Sequence, residues 1–197
     1  MGNNKLKQTP SQTVGPYFSY GLTPEQGGYD FKSITSPILV KKDTLGEHII
    51  LQGHIYDGNG DIIPDAMIEI YQADHQGKYI SKEIPPSDDV FTGFGRCDCE
   101  TNSNFCFKTI KPGSIGDGHA PHINMVIFMR GLLSHAYSRV YFSDEMDANH
   151  NDNVLNNVPS DRRATLIAKR TENENGDIIY QFDLNMQGIN ETVFFDV

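Results

Sequence analysis

Between Thr109 and Arg130 the chain reads TIKPGSIGDGHAPHINMVIFMR, a Pro/Gly-rich loop running into a strongly apolar strand pattern. The residues here that could do chemistry are His119, His122, Asn124 and Arg130. Alternate side chains of a strand share a face, so His122 and Asn124 project together. His122-Ile123-Asn124 therefore has the form of a two-ligand His-x-His motif whose second histidine is an amide. A transition metal takes three or more N, O or S donors, and a neutral amide oxygen is a weak donor to a ferric ion. On these residues alone a satisfied structural histidine outweighs a ligand. Arg130 closes the pattern just before Gly131, which puts its guanidinium at a rim. There it suits a bidentate grip on a carboxylate, against the plainer alternative of a solvated or salt-bridged arginine. On one strand face His122 and Arg130 stand about 26 Å apart at a strand's rise. They do not serve one small site, and Arg130 would serve a pocket across an interface.

The elements that must position these residues read mostly as strands. Ile123, Met125, Ile127 and Met129 form one apolar face, opposite His122, Asn124, Val126, Phe128 and Arg130. Two alternating runs between His48 and Ala73 flank the turn Asp57-Gly58-Asn59-Gly60-Asp61 and predict a hairpin. Residues 81–96 read as a loop, 138–143 as a short strand and 144–157 as a surface loop. A helix of about two turns is expected from Ser160 or Asp161. Asn175-Gly176 centres a second hairpin, and Thr192–Phe195 closes the chain as a last strand. About eight short strands with little helix predict an all-β fold, an antiparallel β-sandwich spanning 48–197. Residues 1–47 form an irregular N-terminal arm too aromatic to be a solvated tail. It packs either on its own domain or on a partner.

Of 197 residues, 38% are hydrophobic and 10% aromatic, enough for one domain with a substantial core. A formal charge of −10 argues against nucleic acid and anionic membrane surfaces. No apolar run reaches the roughly 20 residues of a membrane span, and the first residues lack a secretory pattern, so a cytoplasmic protein is expected. Cys97, Cys99 and Cys106 lack paired zinc spacing and read as reduced structural thiols in preference to ligands. Glu69 and Asp144-Glu145 form no evident acid–base pair. Phosphate loops, dinucleotide fingerprints and nucleophile elbows are absent.

Several motifs in order carry a resemblance. They are Thr9-Pro10-Ser11-Gln12-Thr13-Val14-Gly15-Pro16-Tyr17, Tyr71-Gln72-Ala73-Asp74 with Gly77-Lys78-Tyr79, Phe94-Gly95-Arg96, Thr109-Ile110-Lys111-Pro112-Gly113 and Ala120-Pro121-His122-Ile123. Arg139-Val140-Tyr141-Phe142, Arg162-Arg163 and Glu191 to Asp196 extend them. Together they resemble the intradiol ring-cleaving dioxygenases from Thr9 to Val197. The family's iron-bearing chains hold a ferric ion with two tyrosines and two histidines. The resemblance places Tyr79, Ile115, His122 and Asn124 at those four positions, so two ligands are replaced by a hydrocarbon and an amide. It implies a vestigial site that holds no metal.

The resemblance further implies that this is the iron-free alpha chain of a two-chain member. The Fe(3+) then sits on a homologous beta subunit, in a large alpha–beta oligomer. The implied reaction is cleavage of protocatechuate (3,4-dihydroxybenzoate) by O2 to 3-carboxy-cis,cis-muconate, in aromatic catabolism through the beta-ketoadipate pathway. The arm, through Thr13, Gly15, Pro16 and Tyr17, would wall the partner's pocket, with Arg130 near the substrate carboxylate. Two rivals stand beside this. One is a self-contained single-chain intradiol dioxygenase with a substituted ligand set, and the other is a non-enzymatic β-sandwich binding module.

Overall fold

The computed structural model describes residues 21–80, 91–99 and 103–196. Ten strands lie among them: β1 (His48–Gly53), β2 (Ile55–Tyr56), β3 (Met67–Gln72), β4 (Phe94–Asp98), β5 (Phe105–Ile110), β6 (His122–Phe128), β7 (Ala136–Phe142), β8 (Ile167–Glu172), β9 (Ile178–Gln181) and β10 (Leu184–Asn185). Eight form one sheet in the order β4-β3-β6-β7-β8-β9-β1-β5, and β2 pairs with β10. Pairing is antiparallel except for β1–β9, β7–β8 and β2–β10.

The sheet folds on itself at the short β7–β8 join, where only Tyr141 and Phe142 pair with Ile167 and Ala168. Its two halves then bury their apolar faces against each other. Ile68, Ile70, Ile123, Met125, Ile127 and Val140 come from one half, and Ile49, Leu51, Phe105, Phe107 and Tyr180 from the other. Each such side chain contributes about 1.5–3 kcal/mol by leaving water. At the open edges β4 approaches β5, where Cys97 Sγ accepts from the backbone N–H of Cys106 at 3.4 Å. The expected sandwich is therefore present, built on one continuous sheet.

The predicted hairpin over 48–73 is not. β1 pairs with β5 and β9, and β3 pairs with β4 and β6. Pairing β1 with β3 would set Ile49 and Leu51 beside Ile68 and Ile70 in one layer. Residues 54–66 instead carry the chain to the opposite layer, where both sets close on one core. The 81–96 loop is also shorter than predicted, because β4 begins at Phe94; cross-strand Arg96 and Glu69 fix its register through bonds of 2.8 and 2.6 Å. The C-terminal strand shrinks to a single bridge, Phe195 to Tyr137. The start of the segment is held elsewhere, Thr192 bonding Asn185 of β10 in both directions, and only Phe195 reaches the β7 edge that β8 leaves open. The 160s helix is one 3-10 turn, Arg163–Leu166, and 144–157 holds a short helix, α1 (Met146–His150). The hairpin around Asn175-Gly176 forms as β8–β9.

The described part of the arm lies against its own sheet. Leu39 is buried in the core, Leu39 and Lys108 exchange backbone bonds with Lys108 and Pro37, and Arg96 donates to the Leu22 carbonyl at 3.2 Å.

Candidate functional site

Two loops lock together to place the first residues of the site. In the turn after β3, Asp74 Oδ1 accepts from the N–H groups of Gln76 and Lys78 at 2.8 and 2.9 Å. The Asp74 carbonyl accepts from Gly113 N–H, across in the Lys-Pro-Gly loop. Gly77 has φ +80°, and a Cβ there would overlap the Ser114 carbonyl, so only glycine lets the loops approach this closely. Tyr79 and Ile115 are thereby delivered from the two sides of one contact. The Tyr79 ring stacks on Tyr71 of β3 with centroids 4.9 Å apart.

Antiparallel register supplies the rest. Asn124 of β6 stands opposite Arg139 of β7, and His122 opposite Tyr141. Asn124 Nδ2 donates to the Tyr79 hydroxyl at 2.9 Å, and Arg139 Nε donates to Asn124 Oδ1 at 3.1 Å. Both ends of the amide are thus committed, in the chain Arg139–Asn124–Tyr79. The structure brings Tyr79 and Asn124 into contact, sets His122 two residues before Asn124 on β6, and adds Arg139.

The electrostatics follow from burial. His122 is buried, and its Nδ1 stands 2.8 Å from the Ala120 carbonyl. Burial is the main cause that lowers its pKa, so the ring is neutral, with Nδ1–H donating and a buried Nε2 lone pair that has no partner. Burial pushes the Tyr79 phenol up, against the opposing Asn124 hydrogen bond and the Arg139 charge. Arg139 Nη1 is likewise buried without a hydrogen-bond partner.

Beneath the site lies Asp152, fully buried. It accepts from the N–H groups of Leu155 at 2.7 Å, Ala120 at 2.8 Å and Val154 at 2.9 Å, and from the Tyr141 hydroxyl at 2.9 Å. Burial alone would raise its carboxyl, but these donors together hold it below the usual range. Asp152 thus ties the loop before β6 to the turn after α1 and fixes the direction of His122.

The donor set does not fit a ferric ion. One phenol is protonated and bonded to an amide, Ile115 offers no donor, and the Asn124 amide is occupied at both ends. A fixed guanidinium also brings positive charge to the place where a cation would need anionic ligands. Sequence reading missed Arg139, Tyr71 and Asp152. The signal available was a charged residue inside the strand pattern SRVYFS, but its facing partner depends on register.

Arg130 lies beyond the end of β6, so it does not continue that strand's face. Its side chain is 60% exposed and pairs with the Asp65 carboxylate. Thr13, Gly15, Pro16 and Tyr17 lie outside the described residues. Cys97 and Cys99 are buried, and burial raises both thiols, Cys97 to about 11.

A family model described as Dioxygenase matches residues 14–188. A chain of Burkholderia cepacia named protocatechuate 3,4-dioxygenase alpha chain is 50% identical over 194 residues, 98% of each chain. The beta chain of that name from the same organism is 28% identical over 171 residues, 81% of this chain and 72% of that one. Among solved structures, the dioxygenase domain of a dioxygenase carbohydrate-binding protein fusion from Streptomyces sp. SirexAA-E superposes with a TM-score of 0.62 at 21% identity. It covers 92% of this chain and 99% of that one, a likeness of fold.

Proposed function

Since this chain belongs to the dioxygenase family, within its protocatechuate 3,4-dioxygenase alpha chains, we propose that it is the alpha subunit of a two-chain enzyme cleaving protocatechuate with O2. The reaction breaks the ring bond between the two hydroxylated carbons and places one oxygen atom of O2 on each, giving 3-carboxy-cis,cis-muconate. The ferric ion belongs, in this proposal, to a homologous beta-type partner. The observation that carries this division is the Asn124 amide, bonded at one end to Tyr79 and at the other to Arg139. A chain so arranged contributes shape, water exclusion and charge to a pocket, roles of positioning and electrostatics.

Within that proposal Arg130 reads the substrate carboxylate, and Thr13, Gly15, Pro16 and Tyr17 of the arm wall the partner's pocket. Arg130 is supported by its exposure and its position beyond the strand end. The intrachain pair with Asp65 is the contact it would exchange for the substrate's carboxylate. A large alpha–beta assembly and a place in the beta-ketoadipate pathway belong to the same proposal. So does a cytoplasmic location, which three free thiols suit. Among the described residues no helix is long and apolar enough to cross a membrane.

The test is reconstitution. The full-length chain alone should leave protocatechuate intact, and co-expression with its beta-type partner should give muconate formation. Turnover by the chain alone would overturn the division of labour. In the assembled enzyme, Arg130→Ala should raise KM about tenfold or more for protocatechuate, in keeping with the loss of a charge-assisted contact. Catechol, which has no carboxylate, should be nearly unaffected. Equal effects on both substrates would remove Arg130 from carboxylate recognition.

A further inference from the structure

Outside the Tyr79–Asn124 contact, the outer face of β3, β6 and β7 carries a cavity of about 470 Å³. Its walls include Tyr71, Asn124, Val126, Tyr137, Arg139 and Phe195, with Asp196 also lining it. The size is that of a small-molecule site. Apart from Arg139, Asn124 and Asp196, those walls are flat aromatic rings and branched aliphatic carbon.

Arg139 has no ion-pair partner in this cavity. Among the described residues no carboxylate comes within ion-pair distance of Arg139, Asp196 included. A guanidinium taken out of water without a counter-ion is costly, and the cost is removed by an anion that meets its planar fork. Arg139 is also fixed in advance, since Asn124 holds its Nε and Tyr79 holds Asn124. Two aromatic walls are fixed as well. Tyr71 stacks on Tyr79, and the Tyr137 hydroxyl is 2.6 Å from His135 Nε2. Little ordering remains for a ligand to impose, which favours affinity.

We propose that this cavity is a binding site for a small monocyclic aromatic monocarboxylate, its carboxylate on Arg139 and its ring between Tyr71, Val126 and Phe195. One cation calls for one negative charge, and Asp196 repels a second. The site is made wholly of this chain's residues and needs no iron. It goes beyond the proposed catalytic role, and either can fail without the other.

Calorimetric titration of the full-length chain with benzoate, and with its neutral isostere benzamide, tests the assignment. The expected result is saturable binding of one benzoate per chain, with benzamide ~10-fold or more weaker, the scale of one charge-assisted contact. Arg139→Met should abolish that preference, and Asp196→Asn should keep or strengthen it. Equal affinity for benzoate and benzamide in the unaltered chain overturns the proposal, a comparison that needs no variant to fold. So does a preference that survives Arg139→Met. Absence of saturable benzoate binding in both the unaltered chain and Asp196→Asn also overturns it, since it excludes Asp196 as a competing occupant.

Discussion

At Asn124 one amide makes two bonds that a metal-bound histidine could not make together, donating to Tyr79 and accepting from Arg139. A neutral imidazole has one donor and one acceptor nitrogen, and as a metal ligand it would spend the acceptor on the ion. The amide at this position therefore serves to hold the Arg139 guanidinium in place. Asp152 keeps the scaffold around it in place. Asp152→Asn should destabilise the protein by about 2–4 kcal/mol at pH 7, the scale of disrupting several charge-assisted bonds at a buried carboxylate. The pH dependence has a definite sign. A folded-state pKa depressed below the unfolded value of about 3.9 gives stability that is fully present above that value and lost as pH falls through the folded one. Urea unfolding should show a gap between unaltered and variant protein that is constant from about pH 7 to 5 and narrows below about pH 4. A gap that holds its size or widens in acid would contradict the assignment. Tyr79, Ile115, His122 and Asn124 came from the family resemblance, and of them the structure joins Asn124 to Tyr79 directly. Arg139 was not legible in the sequence, because its role exists only once β7 is registered against β6.

The elements that deliver the site are loops held by glycine as much as strands. Gly77 and Gly60 have nearly the same backbone, φ +80° and +85°, but a Cβ on Gly60 meets nothing within 4 Å while one on Gly77 overlaps Ser114. Gly60→Ala should therefore cost only the left-handed strain of about 1–2 kcal/mol. Gly77→Ala should cost at least ~2 kcal/mol more, an extra loss of about 4–8 °C in Tm. Equal Tm losses would mean that the two loops are not locked as described. Strand content was readable where alternation was strong, as in β1, β3, β6 and β9. The partnering of β1 was not, because the turn at Asp57–Asp61 resembles a hairpin turn while the core it serves lies in the opposite layer. The closing strand failed for a different reason. Thr192–Phe195 has strand composition, but Thr192 is bonded to Asn185 of β10, so only Phe195 meets the open edge of β7.

At the scale of the whole molecule, the sandwich satisfies its own core and leaves apolar residues of the arm outside it. Ile34 is 91% exposed and Leu45 is 70% exposed, and Phe31 and Ile38 are also exposed. Exposed apolar side chains of this kind suit a subunit interface, in keeping with the proposed work beside a homologous partner. The sequence could not decide whether the arm rests on its own domain or on another. The described residues 21–47 lie on β4 and β5 while presenting these side chains outward. In the proposed division of labour the iron resides on the beta-type partner. Iron content and visible absorption of the full-length chain purified alone, set beside its complex with the beta-type partner, test it most directly. The expected result is no stoichiometric iron and no tyrosinate-to-iron charge-transfer band in the chain alone, with both present in the complex. Stoichiometric ferric iron and that band in the chain alone would contradict it.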